Sequence, residues 1–205
     1  MHLVLGSTNN WIIENTVKNC YGDGFHSFRE QDSNNVFVRN TAVGNRGYGM
    51  SIQGTNSLLL NNTLIDNGTG GVIIGEGSNT VGINNIIKDS RVTGYFVYNH
   101  DNSFTAQNKV VGSRREGIFV QGNYGIVQKN YIAYNRDSGL VLSPLTGANN
   151  LLLDNELVCN IPWNIVESQL NNTLIGNEDI PCAPCENPRS KCDGGCNENN
   201  KYLQA

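Results

Sequence analysis

Residues 34–45, Asn-Asn-Val-Phe-Val-Arg-Asn-Thr-Ala-Val-Gly-Asn, return one period later at 56–67 as Asn-Ser-Leu-Leu-Leu-Asn-Asn-Thr-Leu-Ile-Asp-Asn. The central Asn40 and Asn62 extend in both directions to a column Asn15, Asn40, Asn62, Asn85, Asn108, Asn130, Asn155 and Asn177, with intervals of 25, 22, 23, 23, 22, 25 and 22 residues by subtraction. A fixed period in this range is the mark of a solenoid, in which each turn buries its apolar face against its neighbours. Other columns keep the same register. Nine residues after the Asn stand Gly24, Gly49, Gly71, Gly94, Gly117 and Gly139, then Asn164. Six before it stand Asn9, Asn34, Asn56, Asn79, Asn102, Tyr124, Asn149 and Asn171, and five after it Cys20, Asn45, Asn67, Ser90, Ser113, Asn135 and Asn160.

Between these columns apolar residues alternate with the period of a strand. One stripe lies four and two before the Asn, as Trp11/Ile13, Val36/Val38 and Leu58/Leu60. A shorter one lies two after it, as Val17, Ala42, Leu64 and Ile87, and a third ten and twelve after it, as Met50/Ile52, Val72/Ile74 and Tyr95/Val97. Three short strands per turn, stacked in register, predict an all-β chain: a right-handed parallel β-helix of about eight coils of 22–25 residues. Identical amides one rung apart can bond to one another and to the bending backbone. The glycine column is expected at a bend of positive φ, a conformation that Asn164 would tolerate next best. These columns read as scaffold rather than active site.

The units at 34–45 and 56–67, each followed by Gly and an apolar triplet, resemble the right-handed parallel β-helix repeats of the pectin-lyase-like and NosD-like proteins. The resemblance covers roughly residues 2–177 and implies the fold; members range from polysaccharide lyases, hydrolases and epimerases to tailspikes and adhesins. The chain lacks the Asp-Pro-His motif of alginate epimerases on this scaffold, and the Asn-x-Asp, Asp-Asp and Gly-His-Gly set of polygalacturonase-like hydrolases.

Charged residues make up 16% of 205, with a formal charge of −4, so the surface is polar through amides and hydroxyls and does not suit a nucleic-acid binder. No apolar run is long enough for a membrane-spanning helix. The first ten residues already read as the third strand of a turn, with Leu3 and Leu5 inward, which predicts further coils upstream in the natural protein. The β-helix is assigned to residues 1–180 and a Cys-rich tail or cap to 181–205. In that tail Cys182, Cys185, Cys192 and Cys196 permit two disulfides, the favoured reading, or a four-thiolate zinc site. Cys159 is close enough in the stack to join the set, while Cys20 is expected either free and buried in its column or paired with sequence upstream. No clear cluster of Asp calls for calcium. Sequons stand at Asn61, Asn67 and Asn171.

Three surface features are candidates for function. Outward positions six past the Asn read Tyr21, Arg46, Gly68, Arg91, Arg114 and Arg136, flanked by Tyr48 and Trp163; guanidinium groups at rung spacing suit a uronate or sulfated polysaccharide. The bland alternative is a ladder of ion pairs with Asp66, Asp89, Glu116 and Asp137. At the corner after the third strand, Glu76, Tyr98, His100 and Asp101 could supply the acid and base of a uronate lyase or C5-epimerase, with Asp101 orienting the His100 imidazole. His26 with Arg29, Glu30 and Asp32 marks a first corner three residues longer than the rest, and residues 143–148 mark another long corner. Outward positions of the third strand, Ile73, Phe96, Phe119, Val141 and Val166, form an apolar interface patch. The reading is a secreted or cell-surface scaffold that binds glycan or assembles with other chains, including copies of itself; the alternative is a lyase or epimerase on uronate glycans.

Overall fold

The computed structural model describes residues 1–3, 6–29, 31–167 and 170–182. They form three parallel eight-stranded sheets and contain no helix, so no helix is long and apolar enough to cross a membrane. Each coil contributes one strand to each sheet. The first sheet runs from Trp11–Ile13 through Val36–Val38, Leu58–Leu60, Val81–Ile83, Phe104–Ala106, Ile126–Gln128 and Leu151–Leu153 to Thr173–Ile175. The second runs from Thr16–Lys18 to Glu178–Ile180, and the third from His2–Leu3 through Phe25–Ser27, Tyr48–Ile52, Gly70–Gly75, Thr93–Tyr98, Ile118–Val120 and Leu140–Leu142 to Ile165–Val166. Strands pair in the predicted register, with Asn15's coil lying on Asn40's as Trp11↔Val36 and Thr16↔Thr41. Leu3 pairs with Ser27 and packs against the core as expected; Leu5 lies outside the described residues.

The Asn column is a continuous ladder. From Asn15 to Asn155, each backbone N–H and each Nδ2 donates to the Oδ1 of the Asn one rung on, at 2.8–3.4 Å. The second Nδ2 hydrogen goes to a backbone carbonyl; that of Asn85, for example, goes to Leu59 at 3.0 Å. Asn40, Asn62, Asn85, Asn108, Asn130 and Asn155 are sealed from solvent, so these bonds satisfy polar groups that would otherwise be stranded in the core. A second, interrupted ladder uses Asn45 and Asn67, then Asn135, Asn160 and Asn164.

Two expectations need correction. The glycine column has no positive φ. Left-handed residues instead precede the buried corner positions, three per coil: Asn34, Arg39 and Gly44, then Asn56, Asn61 and Asp66. The column six before the ladder is therefore an exposed bend rather than a buried ladder, although Asn79 donates to Asn56 across one rung at 3.1 Å. Gly24, Gly49, Gly71, Gly94, Gly117 and Gly139 are required by close approach, because a Cβ there would sit 2.6–2.8 Å from the carbonyl oxygen of the next rung.

The second correction concerns the first stripe. In the first sheet the middle residue is the buried one, as with Ile12, Phe37, Leu59, Val127 and Leu152, while Trp11/Ile13, Val36/Val38 and their equivalents face outward. Parity decides this: Asn35 and its equivalents turn their polar side chains inward just before the strand, and alternation then sends the next residue out. The second and third stripes are buried as predicted, in one core that includes Leu64, Ile87, Met50, Tyr95 and Ile118.

Candidate functional site

The long first corner is organised by Asp32, which has no exposed surface. One carboxylate oxygen accepts the Gly6 and Ser7 N–H groups, each at 2.8 Å, and the other accepts those of Phe28 and Arg29 at 3.1 and 3.2 Å. Four backbone donors on one carboxylate fix a bend that no repeat residue could hold. The bend throws Phe28, 52% exposed, and Arg29 away from the rod. With Gln31, Gln53 and Glu76 from this and the next two coils they line an open groove of about 450 Å³. The Arg29 guanidinium lies 6.0 Å from the Phe28 ring centroid.

Beneath Phe28 the His26 ring stacks at 5.4 Å, and His2 stacks on its other side at 4.9 Å. His26 Nδ1 meets Asp23 Oδ2 at 2.6 Å, and Asp23 Oδ1 accepts the Tyr48 N–H at 2.7 Å. Burial pushes the Asp23 carboxyl up, but the bonds from His26 and Tyr48 and the nearby His26 and His2 charges outweigh it and hold the group below its ordinary range. The groove thus offers an aromatic ring, a guanidinium, two carboxamides and a carboxylate. Those are the groups that grip a sugar ring by its apolar face, its hydroxyls and, when present, its carboxylate. Phe28, Gln31 and Gln53 escaped the sequence reading; the one signal available was the length of the corner. Glu30 lies outside the described residues.

The quartet Glu76, Tyr98, His100 and Asp101 is divided. Glu76 is exposed and lines the groove, and Tyr98 is outward and 36% exposed. His100 points inward and is fully buried, so its imidazole does not reach a ligand on the Tyr98 side. Its Nε2 accepts the Thr80 N–H at 3.3 Å, in the way a ladder Asn oxygen accepts at other corners. Burial lowers its pKa to about 4, against the pull of the Gly75 carbonyl and Asp101. Asp101 does not orient the ring; its Oδ1 caps the Asn123 backbone at 2.8 Å and the Asn123 side chain at 3.1 Å.

The arginine column forms along one corner with mixed occupancy. Arg46 lies over the Tyr21 ring at 4.4 Å, and Arg91 is bidentate on Asp66 at 3.0 and 3.3 Å. Arg115 reaches Glu116 and Asp137, while Arg114 and Arg136 are exposed and lie in no ion pair among the described residues. Tyr48 is half-buried, its ring covering Gly70. Within the column itself, Arg91 on Asp66 is the inter-rung ion pair that the bland alternative expects, while Arg46, Arg114 and Arg136 make none among the described residues.

On the third sheet Ile73, Phe96, Phe119, Val141 and Val166 do form one outward column, each partly covered by its neighbours, and the Phe96 and Phe119 rings stack at 5.1 Å. Cys182 is bonded to Cys159, with Cα atoms 4.3 Å apart; Cys185, Cys192 and Cys196 lie outside the described residues. Cys20 is free but only half-buried, not sealed in its column. Of the sequons, Asn67 is locked in the second ladder, whereas Asn61 and Asn171 are exposed. Among the described residues no group of three His, Cys, Asp or Glu is arranged to hold a metal.

A family model for the right-handed β-helix region matches residues 31–179. Among solved structures, the chain is similar to the Azotobacter vinelandii mannuronan C-5 epimerase AlgE6 A-module, at 19% identity and a TM-score of 0.72, over 87% of this chain and 55% of that one. It is also similar to the periplasmic alginate epimerase AlgG, at 19% identity and a TM-score of 0.62, over 82% of this chain and 50% of that one. At these identities the likeness is one of fold, and the chain spans about half the length of either structure. No curated protein matches it.

Proposed function

The chain belongs to the right-handed β-helix family, and from that premise we propose that it is a rigid glycan-binding scaffold whose first-corner groove takes an acidic polysaccharide. The observation that carries this reading is the groove itself, where Phe28, Arg29, Gln31, Gln53 and Glu76 converge on a bend held by Asp32. The phenyl face receives the apolar side of a pyranose, the amides exchange hydrogen bonds with its hydroxyls, and Arg29 pairs with a uronate carboxylate. A location outside the cytoplasm is supported by the Cys159–Cys182 disulfide, a bond that persists in oxidising compartments.

Calorimetric titration with alginate, pectate and a neutral glucan tests this. Binding to the acidic polymers is expected, weakened roughly tenfold, or about 1.4 kcal/mol, by either Phe28→Ala or Arg29→Gln. Wild-type affinity in both variants removes the groove from the account.

A second reading, epimerisation or lysis of alginate, draws on the fold neighbours named as alginate epimerases. It has exposed Tyr98 and Glu76 in its favour, but His100 would have to leave the core to join them. Proton NMR of mannuronan after incubation, together with ultraviolet absorbance of unsaturated uronate, separates the two readings. Any turnover would displace the scaffold.

A further inference from the structure

The groove owes its shape to unequal corner lengths. Ser27, Ile52 and Ile74 are aligned on successive coils, and so are Asn34, Asn56 and Asn79, where the Asn34 N–H donates to the Thr55 carbonyl and that of Asn56 to the Ser78 carbonyl. Between these anchors the first coil has residues 28–33, the second only 53–55 and the third 75–78. The second coil is therefore the floor of a valley that crosses the rod, with the first and third coils as its walls. Small residues keep the floor low. A Cβ on Gly54 would collide with the Asp32 carbonyl, and Ser51 is the short outward residue between His26 and Ile73. Two rungs of ~4.8 Å put the wall backbones about 9.6 Å apart, room for one sugar ring edge to edge. The walls carry opposite charge. Arg29 stands on the first and Glu76 on the third; both are exposed, and neither enters an ion pair among the described residues.

We propose that Glu76 sets the specificity of the groove, admitting uronate rings with free hydroxyls and turning away sulfated glycans. The inference rests on the groove being a glycan site. A uronate ring carries its charge on one edge, at C6, and the uncharged O2 and O3 hydroxyls on the edge across from it. With the carboxylate on Arg29, the hydroxyl edge faces Glu76, whose two oxygens accept from the vicinal hydroxyls. A sulfate ester on that edge removes a donor and sets an anion against the Glu76 carboxylate, and residues 75–78 of that wall include no cation to neutralise it. Arg29 alone would not discriminate, since a guanidinium pairs with either anion. Turning the ring round would place its carboxylate on Glu76, so the two walls fix its orientation as well.

Titration calorimetry of the full chain at low ionic strength, with an oligogalacturonate and the same oligomer sulfated at O2 and O3, is the test. The wild type should bind the plain oligomer about tenfold more tightly. Glu76→Gln should move the two affinities in opposite directions: the plain oligomer weakens severalfold, because a neutral acceptor replaces a charged one, and the sulfated one tightens about tenfold. Glu76→Asp keeps the charge and should keep the preference for the plain oligomer. The backbone tolerates glutamine, since Gln107 elsewhere in the chain holds the same left-handed conformation as Glu76. Equal affinity of the wild type for both oligomers, or shifts of the same sign in Glu76→Gln, would overturn the inference, and if Arg29→Gln still weakened binding the groove itself would stand. Binding of neither oligomer by the wild type would remove the groove and this inference together.

Discussion

The Tyr95 hydroxyl occupies the space that a side chain at Gly82 would fill. A Cβ on Gly82 would lie well inside van der Waals contact of that oxygen, across the core from the third sheet to the first. Both residues are buried, and the position equivalent to Gly82 is Leu59 one coil earlier and Thr105 one coil later. The large ring and the missing side chain are therefore one packing solution. Burial also holds the Tyr95 phenol well above its ordinary pKa. Gly82→Ala should destabilise the chain by about 1–3 kcal/mol through overpacking. Tyr95→Phe in the same chain should restore part of that loss, as a urea-denaturation double-mutant cycle would show.

Ladder asparagines should differ by depth. Asn85 donates to Asn108 and Leu59 and accepts from Asn62, all out of water, whereas Asn15 at the first coil is exposed. Asn85→Ala is expected to cost about 2–4 kcal/mol, since removing one amide strands buried partners on both sides. Asn15→Ala should cost about 1 kcal/mol or less. Equal losses in chemical denaturation would mean that the ladder follows the fold without stabilising it.

His100 should give stability a distinct pH dependence. Its folded pKa of about 4 lies below the unfolded value of 6.5, so the unfolded chain binds the extra proton between those two values. The stabilisation it provides is complete above about pH 6.5 and is lost as pH falls towards 4, up to about 3 kcal/mol. Melting temperatures of the wild type and of His100→Asn, compared across that window, should converge as the solution is acidified. Parallel curves would show that the imidazole titrates normally.

The Cys159–Cys182 bridge spans 23 residues of sequence, enclosing the strand Glu178–Ile180 that pairs with Glu156–Val158. Cutting a loop of this size removes about 3 kcal/mol in the chain-entropy account. Cys182→Ser should therefore raise amide exchange in Glu178–Ile180 first, while the Asn62–Asn130 coils stay protected. Uniform loss of protection would mean that the whole rod unfolds as one unit.

Fold was readable because Asn62, Gly71 and Val72 recur in phase, and a repeat states its geometry several times over. Reasons were harder to read than positions. Gly49 and its column looked like bend residues, yet what they avoid is a carbonyl one rung away, visible only once coils are stacked. Val36 and Val38 looked like core because they are apolar, but the buried Asn35 before them sets the opposite parity. His100 reads as a surface histidine until the Thr80 N–H is seen to need its nitrogen. The groove depended on Asp32 gathering four backbone donors from two segments 20 or more residues apart, a convergence that spacing alone does not encode.

Because each amide of the long ladder accepts from the Asn before it and passes one hydrogen to the Asn after it, the row has an electrical sense as well as a chain direction. The shorter ladder shows what that sense demands. Asn160 passes its hydrogen to Asn164, and Asn164 closes on the Asp179 carboxylate, so a fixed anion sits where the row of donors terminates. Asp179 also stands in register with Leu157, so in the second sheet the row of inward aliphatic side chains gives way to a carboxylate at this rung.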